Sequence, residues 1–159
     1  MVLIETVVGQ LAGDVVVGMQ PDASGAGIDL SVDDRGDGAV AVVDPDRLGQ
    51  VLANLVENAL KFASTRVEVA VEVASDPGAV TVTVTDDGPG IAASDLPHVF
   101  ERLYASRQAP VRRESGSGLG LAIVRELTAA MGGTVEVASP VADGRGTALR
   151  VTLPVAPAT

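Results

Sequence analysis

Asp44-Pro45-Asp46-Arg47-Leu48-Gly49-Gln50-Val51-Leu52-Ala53-Asn54-Leu55-Val56-Glu57-Asn58-Ala59-Leu60-Lys61-Phe62 is the stretch from which the rest of this 159-residue chain is best read. Asp44 before Pro45 is a helix-start signal: a carboxylate that caps free N–H groups, then a proline at the first helical position. At about 100° per residue, Leu48, Val51, Leu52, Leu55, Ala59 and Phe62 gather on one face. Such a helix must lie on an apolar layer. Asn54, Asn58 and Lys61 stack along a neighbouring stripe at the edge of that face, where a pocket wall would stand. A neutral amide oxygen can ligate Mg²⁺ without adding charge, and an ammonium can neutralise phosphate oxygens, so the stripe suits a metal-bound polyphosphate. Read alone, the same residues also fit a polar helix border. Glu57 points further round and reads as solvated surface.

Working outward, Val2 to about Met19 reads as a helix with Leu3, Val7, Leu11 and Val15 on one stripe, and Pro21 to Gly27 as a loop. Ile28–Val32 and Ala39–Val43 read as strands joined by an Asp/Gly-rich turn into a hairpin. Val67–Val73 and Val80–Thr85 alternate as strands around Pro77-Gly78. Gly118 to Met131 is helical and closes at Gly132-Gly133, a glycine C-terminal cap. Val135–Ala138 and Ala148–Leu153 form a last hairpin around Asp143-Gly144. There are no internal repeats. The length suits one α/β domain, residues 1–159, with a core of proper size.

Two further segments carry chemistry. Asp86-Asp87-Gly88-Pro89-Gly90 puts a carboxylate at a strand end beside a turn. Asp86, buried there, could accept a hydrogen bond from an exocyclic amine such as adenine N6 while the glycines admit the ring, although Asp-Gly pairs also make plain turns. Asp87 reads as the solvated member of the pair. Gly116-Ser117-Gly118-Leu119-Gly120-Leu121 opens into a helix whose N-terminus attracts anions. It is neither a Walker loop, lacking Gly-Lys-Ser/Thr, nor a dinucleotide fingerprint, its third glycine being one residue early. Gly146-Thr147 could add a hydroxyl near the base. The roughly 30 residues between, about 88–117, exceed ordinary connections and read as a lid. A turn of helix fits near Ser94 to Phe100, and the basic strip of Arg107, Arg112 and Arg113 would face phosphate. Phe62, Phe100 and Tyr104, the only aromatic residues, lie in or beside these segments; core packing explains them as well as ligand contact does.

Composition narrows the classes. Eleven basic against 21 acidic residues give a formal charge of −10, which repels nucleic-acid phosphates and argues against DNA or RNA binding. The same field repels a triphosphate, so any such site needs local rescue by Mg²⁺, a lysine, backbone N–H groups and arginines. No cysteine and one histidine exclude disulfides, thiolate metal sites and a multi-histidine centre. No apolar run reaches the roughly 18 residues of a membrane span. Met1 to Met19 is broken by Glu5, Gln10 and Asp14 and lacks the basic start of a signal peptide. The single histidine, His98, follows Leu96-Pro97 inside the lid and makes a poor phospho-acceptor.

With these residues assembled, nearly the whole chain resembles the catalytic ATP-binding domain of sensor histidine kinases, in the superfamily shared with gyrase, Hsp90 and MutL. Asp44 to Phe62 looks like the N box, Asp86 to Gly90 the first glycine box, Phe100-Glu101-Arg102-Leu103-Tyr104 the F box, and Gly116 to Leu121 the second glycine box. The resemblance implies a two-layer sandwich, a mixed five-stranded sheet under three helices, with the nucleotide between helices and lid. It implies ATP and Mg²⁺ as cofactors. Asp86 would recognise adenine, Asn58 would ligate Mg²⁺, and Asn54 and Lys61 would manage the phosphates as the catalytic pair. Phe62, Gly88, Gly90, Ile91, Tyr104, Arg107, Gly116, Ser117, Gly118, Leu119, Gly120, Leu121 and Thr147 complete the nucleotide contacts.

One position departs from that pattern. Many members carry an arginine just after the F-box tyrosine, where this chain has Ala105; Arg107, or one of Arg112 and Arg113, would substitute. Gyrase-like ATPases place a water-activating glutamate four residues before the Mg²⁺ asparagine. Asn54 stands there instead and is a poor base, which favours transfer to an external acceptor over hydrolysis. No His-Glu/Asp-x-x-Thr/Asn-Pro acceptor signature occurs. The chain therefore reads as a cytoplasmic piece of a bacterial plasma-membrane sensor, not itself touching membrane and not expected to autophosphorylate alone. Its implied partners are its own dimerisation/histidine domain and a response regulator, whose aspartate receives the phosphate. The alternative is an anti-sigma-factor-like serine kinase or partner-binding switch.

Overall fold

The computed structural model of the chain describes residues 1–74, 78–101, 120–141 and 144–155. Strands are β1 (Ile4–Val7), β2 (Asp29–Arg35), β3 (Val40–Val43), β4 (Arg66–Ala74), β5 (Ala79–Asp86), β6 (Thr134–Ala138) and β7 (Thr147–Pro154). Helices are α1 (Val8–Ala26), α2 (Pro45–Phe62) and α3 (Gly120–Ala130), with a 3-10 turn at Leu96–His98. Five strands form one sheet in the order β2-β4-β5-β7-β6. β2 runs parallel to β4 and every other pairing is antiparallel, so the sheet is mixed. Strict alternation along the central strands makes two layers. Val67, Val69 and Val71, Val80, Val82 and Val84, and Leu149, Val151 and Leu153 are all buried on the face that carries the helices. Arg66, Glu68, Glu72 and Arg150 stand on the open face.

α2 forms for the reasons its sequence announces. Asp44 Oδ1 accepts the N–H groups of Asp46 (3.0 Å) and Arg47 (3.2 Å), satisfying two donors that the first turn leaves free. Leu48, Val51, Leu52, Leu55, Val56 and Ala59 are each at most 1% exposed, and each large side chain so buried contributes roughly 1.5–3 kcal/mol. α3 ends as expected: Gly132 takes φ +81°, and Gly133 donates to Thr128 O at 3.0 Å. Residues 118 and 119, where that helix was expected to begin, lie outside the described ones.

The amino-terminal third differs from its reading. Residues 4–7 are a strand, not helix: β1 pairs antiparallel with β3, Ile4 opposite Val43. A period-3.6 stripe containing valine and isoleucine does not exclude a strand, and an available edge decides it. α1 then runs on through Pro21, which the turn-like Pro21 to Gly27 composition had suggested as loop. Val16 and Ala23, on either side of the proline, are both buried, and Gln20 Nε2 donates to Leu30 O at 2.8 Å; this packing outweighs the missing proline N–H. The helix stops at Gly27, φ +72°. Nor do β2 and β3 form a hairpin. β2 pairs with β4, Asp29 opposite Arg66, while β3 joins β1 in a separate two-stranded sheet. Among the described residues no helix is long and apolar enough to cross a membrane.

Candidate functional site

β5 ends at Asp86, whose register partners are Val67 on β4 and Thr147 on β7. Asp86 is 5% exposed and Thr147 6%, so the carboxylate and hydroxyl sit side by side on the helix-bearing face. Oδ1 of Asp86 accepts the Gly88 N–H at 2.8 Å. Among the described residues no donor reaches Oδ2. Burial raises the carboxyl above its usual range; the Gly88 N–H opposes this and the Asp87 charge reinforces it.

The turn after Asp86 is pressed against the end of α2. A Cβ on Gly88 would lie 2.1 Å from the carbonyl oxygen of Phe62, so only glycine permits the contact. On its other side Gly88 O accepts the Gly146 N–H at 2.9 Å. Gly90 takes φ +87°, and the following Ile91 N–H donates to Ser139 Oγ at 2.8 Å. Ser139 in turn donates to Gly146 O at 2.6 Å. The loop between β6 and β7 thus holds the start of the expected lid. Ser139 was not a sequence candidate; nothing in its neighbourhood of Ala138 and Pro140 signals a bond to residue 91.

Asp87 corrects a reading. Its carboxylate is not merely solvated: Oδ1 accepts the N–H groups of Ser64 (2.9 Å), Thr65 (2.9 Å) and Arg66 (3.0 Å), and Oδ2 accepts the Thr65 hydroxyl. Partial burial pushes this carboxyl up, but the Thr65 hydroxyl and the three N–H donors outweigh it and hold it well below the usual carboxylate range. Adjacent carboxylates are therefore driven in opposite directions, Asp86 upward by burial and Asp87 downward by its hydrogen bonds.

The α2 stripe is where the periodicity placed it. Asn54, Asn58, Lys61 and Phe62 are each partly buried, and the last turn, Asn58 to Phe62, is the one that meets the Asp86–Gly88 turn. Glu57 is exposed as expected, but it also pairs with Lys61, Nζ to Oε1 at 3.5 Å. Gly120 and Leu121 open α3, and Leu121 packs into the core. The lid's first half contains the 3-10 turn; Phe100 packs on the core, and His98 Nδ1 lies 2.7 Å from Glu101 Oε2. Tyr104, Arg107, Gly116, Ser117, Gly118 and Leu119 lie outside the described residues, as do Arg112 and Arg113. Among the described residues no group of three or more His, Cys, Asp or Glu could hold a metal. A cavity of about 490 Å³ includes Arg66, Glu68, Thr85, Asp86, Asp87 and Gly146 in its wall. Arg66, Glu68 and Thr85 alternate with the buried Val67 and Val84, so the cavity opens on the other face of the sheet, and Asp86, Asp87 and Gly146 bring it to the strand-end turn.

Comparison with known proteins agrees with this geometry. Residues 43–157 match the family described as histidine kinase-, DNA gyrase B-, and HSP90-like ATPase. The sensor histidine kinase WalK of Bacillus subtilis strain 168 is 37% identical over 114 residues, 70% of this chain and 18% of WalK. The sensor histidine kinase CusS of Escherichia coli K12 is 39% identical over 119 residues, 75% of this chain and 24% of CusS. The chain thus spans a quarter or less of these relatives. Full-length ShkA, solved in complex with AMPPNP, superposes with a TM-score of 0.82 at 33% identity over 99% of this chain and 32% of ShkA. The mycobacterial sensor histidine kinase MprB superposes with a TM-score of 0.81 at 30% identity, covering 99% of this chain and 100% of that one. Matched in sequence over most of its length and in fold over nearly all of it, the chain belongs to the histidine kinase-, DNA gyrase B- and HSP90-like ATPase family.

Proposed function

We propose that the chain, residues 1–159 as one unit, is the Mg-ATP-binding, phosphoryl-donating domain of a two-component sensor histidine kinase. The observation that carries this reading is Asp86: a buried carboxylate with one oxygen bonded to Gly88 and the other without a donor among the described residues. An exocyclic amine such as adenine N6 supplies the missing donor. Thr147, the strand neighbour of Asp86, would bond the base or a water on it. Phe62 and Ile91 would contact the nucleotide in this reading.

The stripe of Asn54, Asn58 and Lys61 would hold the polyphosphate. Asn58 would offer a neutral oxygen to Mg²⁺, which would supply charge neutralisation to the polyphosphate. Lys61 exchanges its bond with Glu57 for phosphate oxygens, and Asn54 donates to them. The N-terminus of α3 at Gly120-Leu121 would present N–H groups to the same anion. Tyr104 and Arg107 belong to the lid over the nucleotide in this reading. A neutral imidazole on a dimerisation/histidine domain attacks the γ-phosphorus in line. A P–N bond forms as the β–γ bridging P–O bond breaks, and ADP leaves with the electron pair. A response-regulator aspartate then receives the group. A cytoplasmic position in a membrane-anchored sensor follows from the same reading.

Titration with AMPPNP and Mg²⁺ tests it: a folded protein with no saturable binding at millimolar nucleotide would falsify the proposal. Asn58→Asp and Lys61→Ala should abolish phosphorylation of a supplied histidine-helix domain. An acid-stable phosphoprotein product would instead identify a serine kinase, because phosphohistidine is acid-labile.

A further inference from the structure

We infer that Asp87 is a positioning residue for nucleotide binding. Its carboxylate is the tie that holds the adenine-recognising turn in register with the phosphate-binding end of α2. The inference rests on the functional reading above. Asp87 gathers three consecutive backbone N–H groups, those of Ser64, Thr65 and Arg66, on a single oxygen, and the Thr65 hydroxyl on the other. The Asp87 N–H also donates to Arg66 O at 3.3 Å. These residues begin one position beyond Ala63, where α2 ends. One side chain therefore joins the exit of the helix that carries Asn58 and Lys61 to the residue next to Asp86.

The contact it protects has no slack. Gly88 meets the Phe62 carbonyl with no room for a Cβ, so the turn and the helix end are seated against each other. On the far flank the turn is held by Gly146 N–H to Gly88 O and by Ile91 N–H to Ser139 Oγ. Asp87 is the side-chain hold on the near flank. Ser64, Thr65 and Arg66 are all exposed, so water can satisfy their N–H groups once the carboxylate is gone. The stability that the lowered carboxyl contributes at neutral pH is then lost in part, and the distance between Asp86 and the α2 stripe is no longer set. A ligand that must span both ends, base at one and phosphates at the other, loses affinity through that freedom.

The experiment measures AMPPNP affinity with Mg²⁺ by calorimetric titration well below the melting temperature, for wild type, Asp87→Ala, Asp87→Asn and Thr65→Val. Asp87→Ala should bind about tenfold more weakly, with faster amide exchange at residues 64–66 and little change across β5 and β7. Asp87→Asn keeps an oxygen for the three N–H donors and should stay within about threefold of wild type. Thr65→Val, which loses only the hydroxyl bond, should fall between them and serves if Asp87→Ala does not fold. Equal affinity in wild type, Asp87→Ala and Thr65→Val overturns the inference and leaves the functional reading intact. So does an asparagine variant as weak as the alanine one, because the charge and not the tether would then be the cause. Wild-type protein that binds no AMPPNP overturns the functional reading and the inference together.

Discussion

Asp86→Asn should push stability and nucleotide affinity in opposite directions. The wild-type carboxylate is 5% exposed, has one N–H donor among the described residues, and stands next to the Asp87 charge. Asparagine has the same shape, keeps an oxygen for the Gly88 N–H, and removes a poorly solvated charge. That relief is worth roughly 1 kcal/mol, or about 2–4 °C in melting temperature for a chain of this size. The sign with pH is definite. Asp86 has a folded-state pKa above its unfolded value, so its contribution is fully present below the unfolded value and is lost as pH rises through the folded one. The advantage of the variant should therefore appear near pH 7 and shrink at acid pH. Binding goes the other way: replacing a charge-assisted acceptor by a neutral one costs about 1.5–3 kcal/mol, roughly ten- to a hundredfold in AMPPNP affinity. Differential scanning calorimetry at two pH values and calorimetric titration provide the readouts. A variant that is less stable at pH 7 and binds AMPPNP as tightly as wild type would show that Asp86 is a structural carboxylate and not the base-recognition group.

Three other outcomes can be checked. Gly88→Ala places a Cβ 2.1 Å from the Phe62 carbonyl and should destabilise the fold by about 2–4 kcal/mol in denaturant melts, with loss of nucleotide binding. The Thr128 hydroxyl is buried with no hydrogen-bond partner among the described residues, so Thr128→Val should stabilise by about 1 kcal/mol; a lower denaturation midpoint would mean the hydroxyl is bonded in solution. Hydrogen bonds, first from the Val2 N–H and then from Arg47 and Asp46, hold the Asp44 carboxyl below its usual value against the opposing effect of burial. Its contribution is present above the unfolded value and lost as pH falls through the folded one, so Asp44→Asn should lessen the decline of stability in acid, measured by circular dichroism from pH 6 to pH 2.

How far the sequence carries the fold depends on the range of the interactions concerned. α2 was legible to its cap because Asp44, Pro45 and the apolar stripe all act within one helix. β4, β5, β6 and β7 were legible because a half-buried strand advertises itself by alternation. Asp86, Gly88 and the Asn54–Lys61 stripe could be singled out because glycine and acid at a strand end, and amides at an apolar border, are locally unusual. The lid residues Tyr104, Arg107 and Gly116 to Leu119 remain sequence assignments, since they lie outside the described residues.

Strand partners and long-range ties were not legible. The sequence alone determined that Ile28–Val32 and Ala39–Val43 are extended; only tertiary structure decided that they join different sheets, because both partners, β4 and β1, come from elsewhere in the chain. Pro21 inside α1 was likewise settled by buried neighbours and not by its own helix-breaking tendency. Asp87 illustrates the same division most sharply, since Asp-Gly composition predicts a turn, while the donors that it binds are 21 to 23 residues away. Local chemistry sets which groups a segment offers, and the folded backbone sets which of them meet.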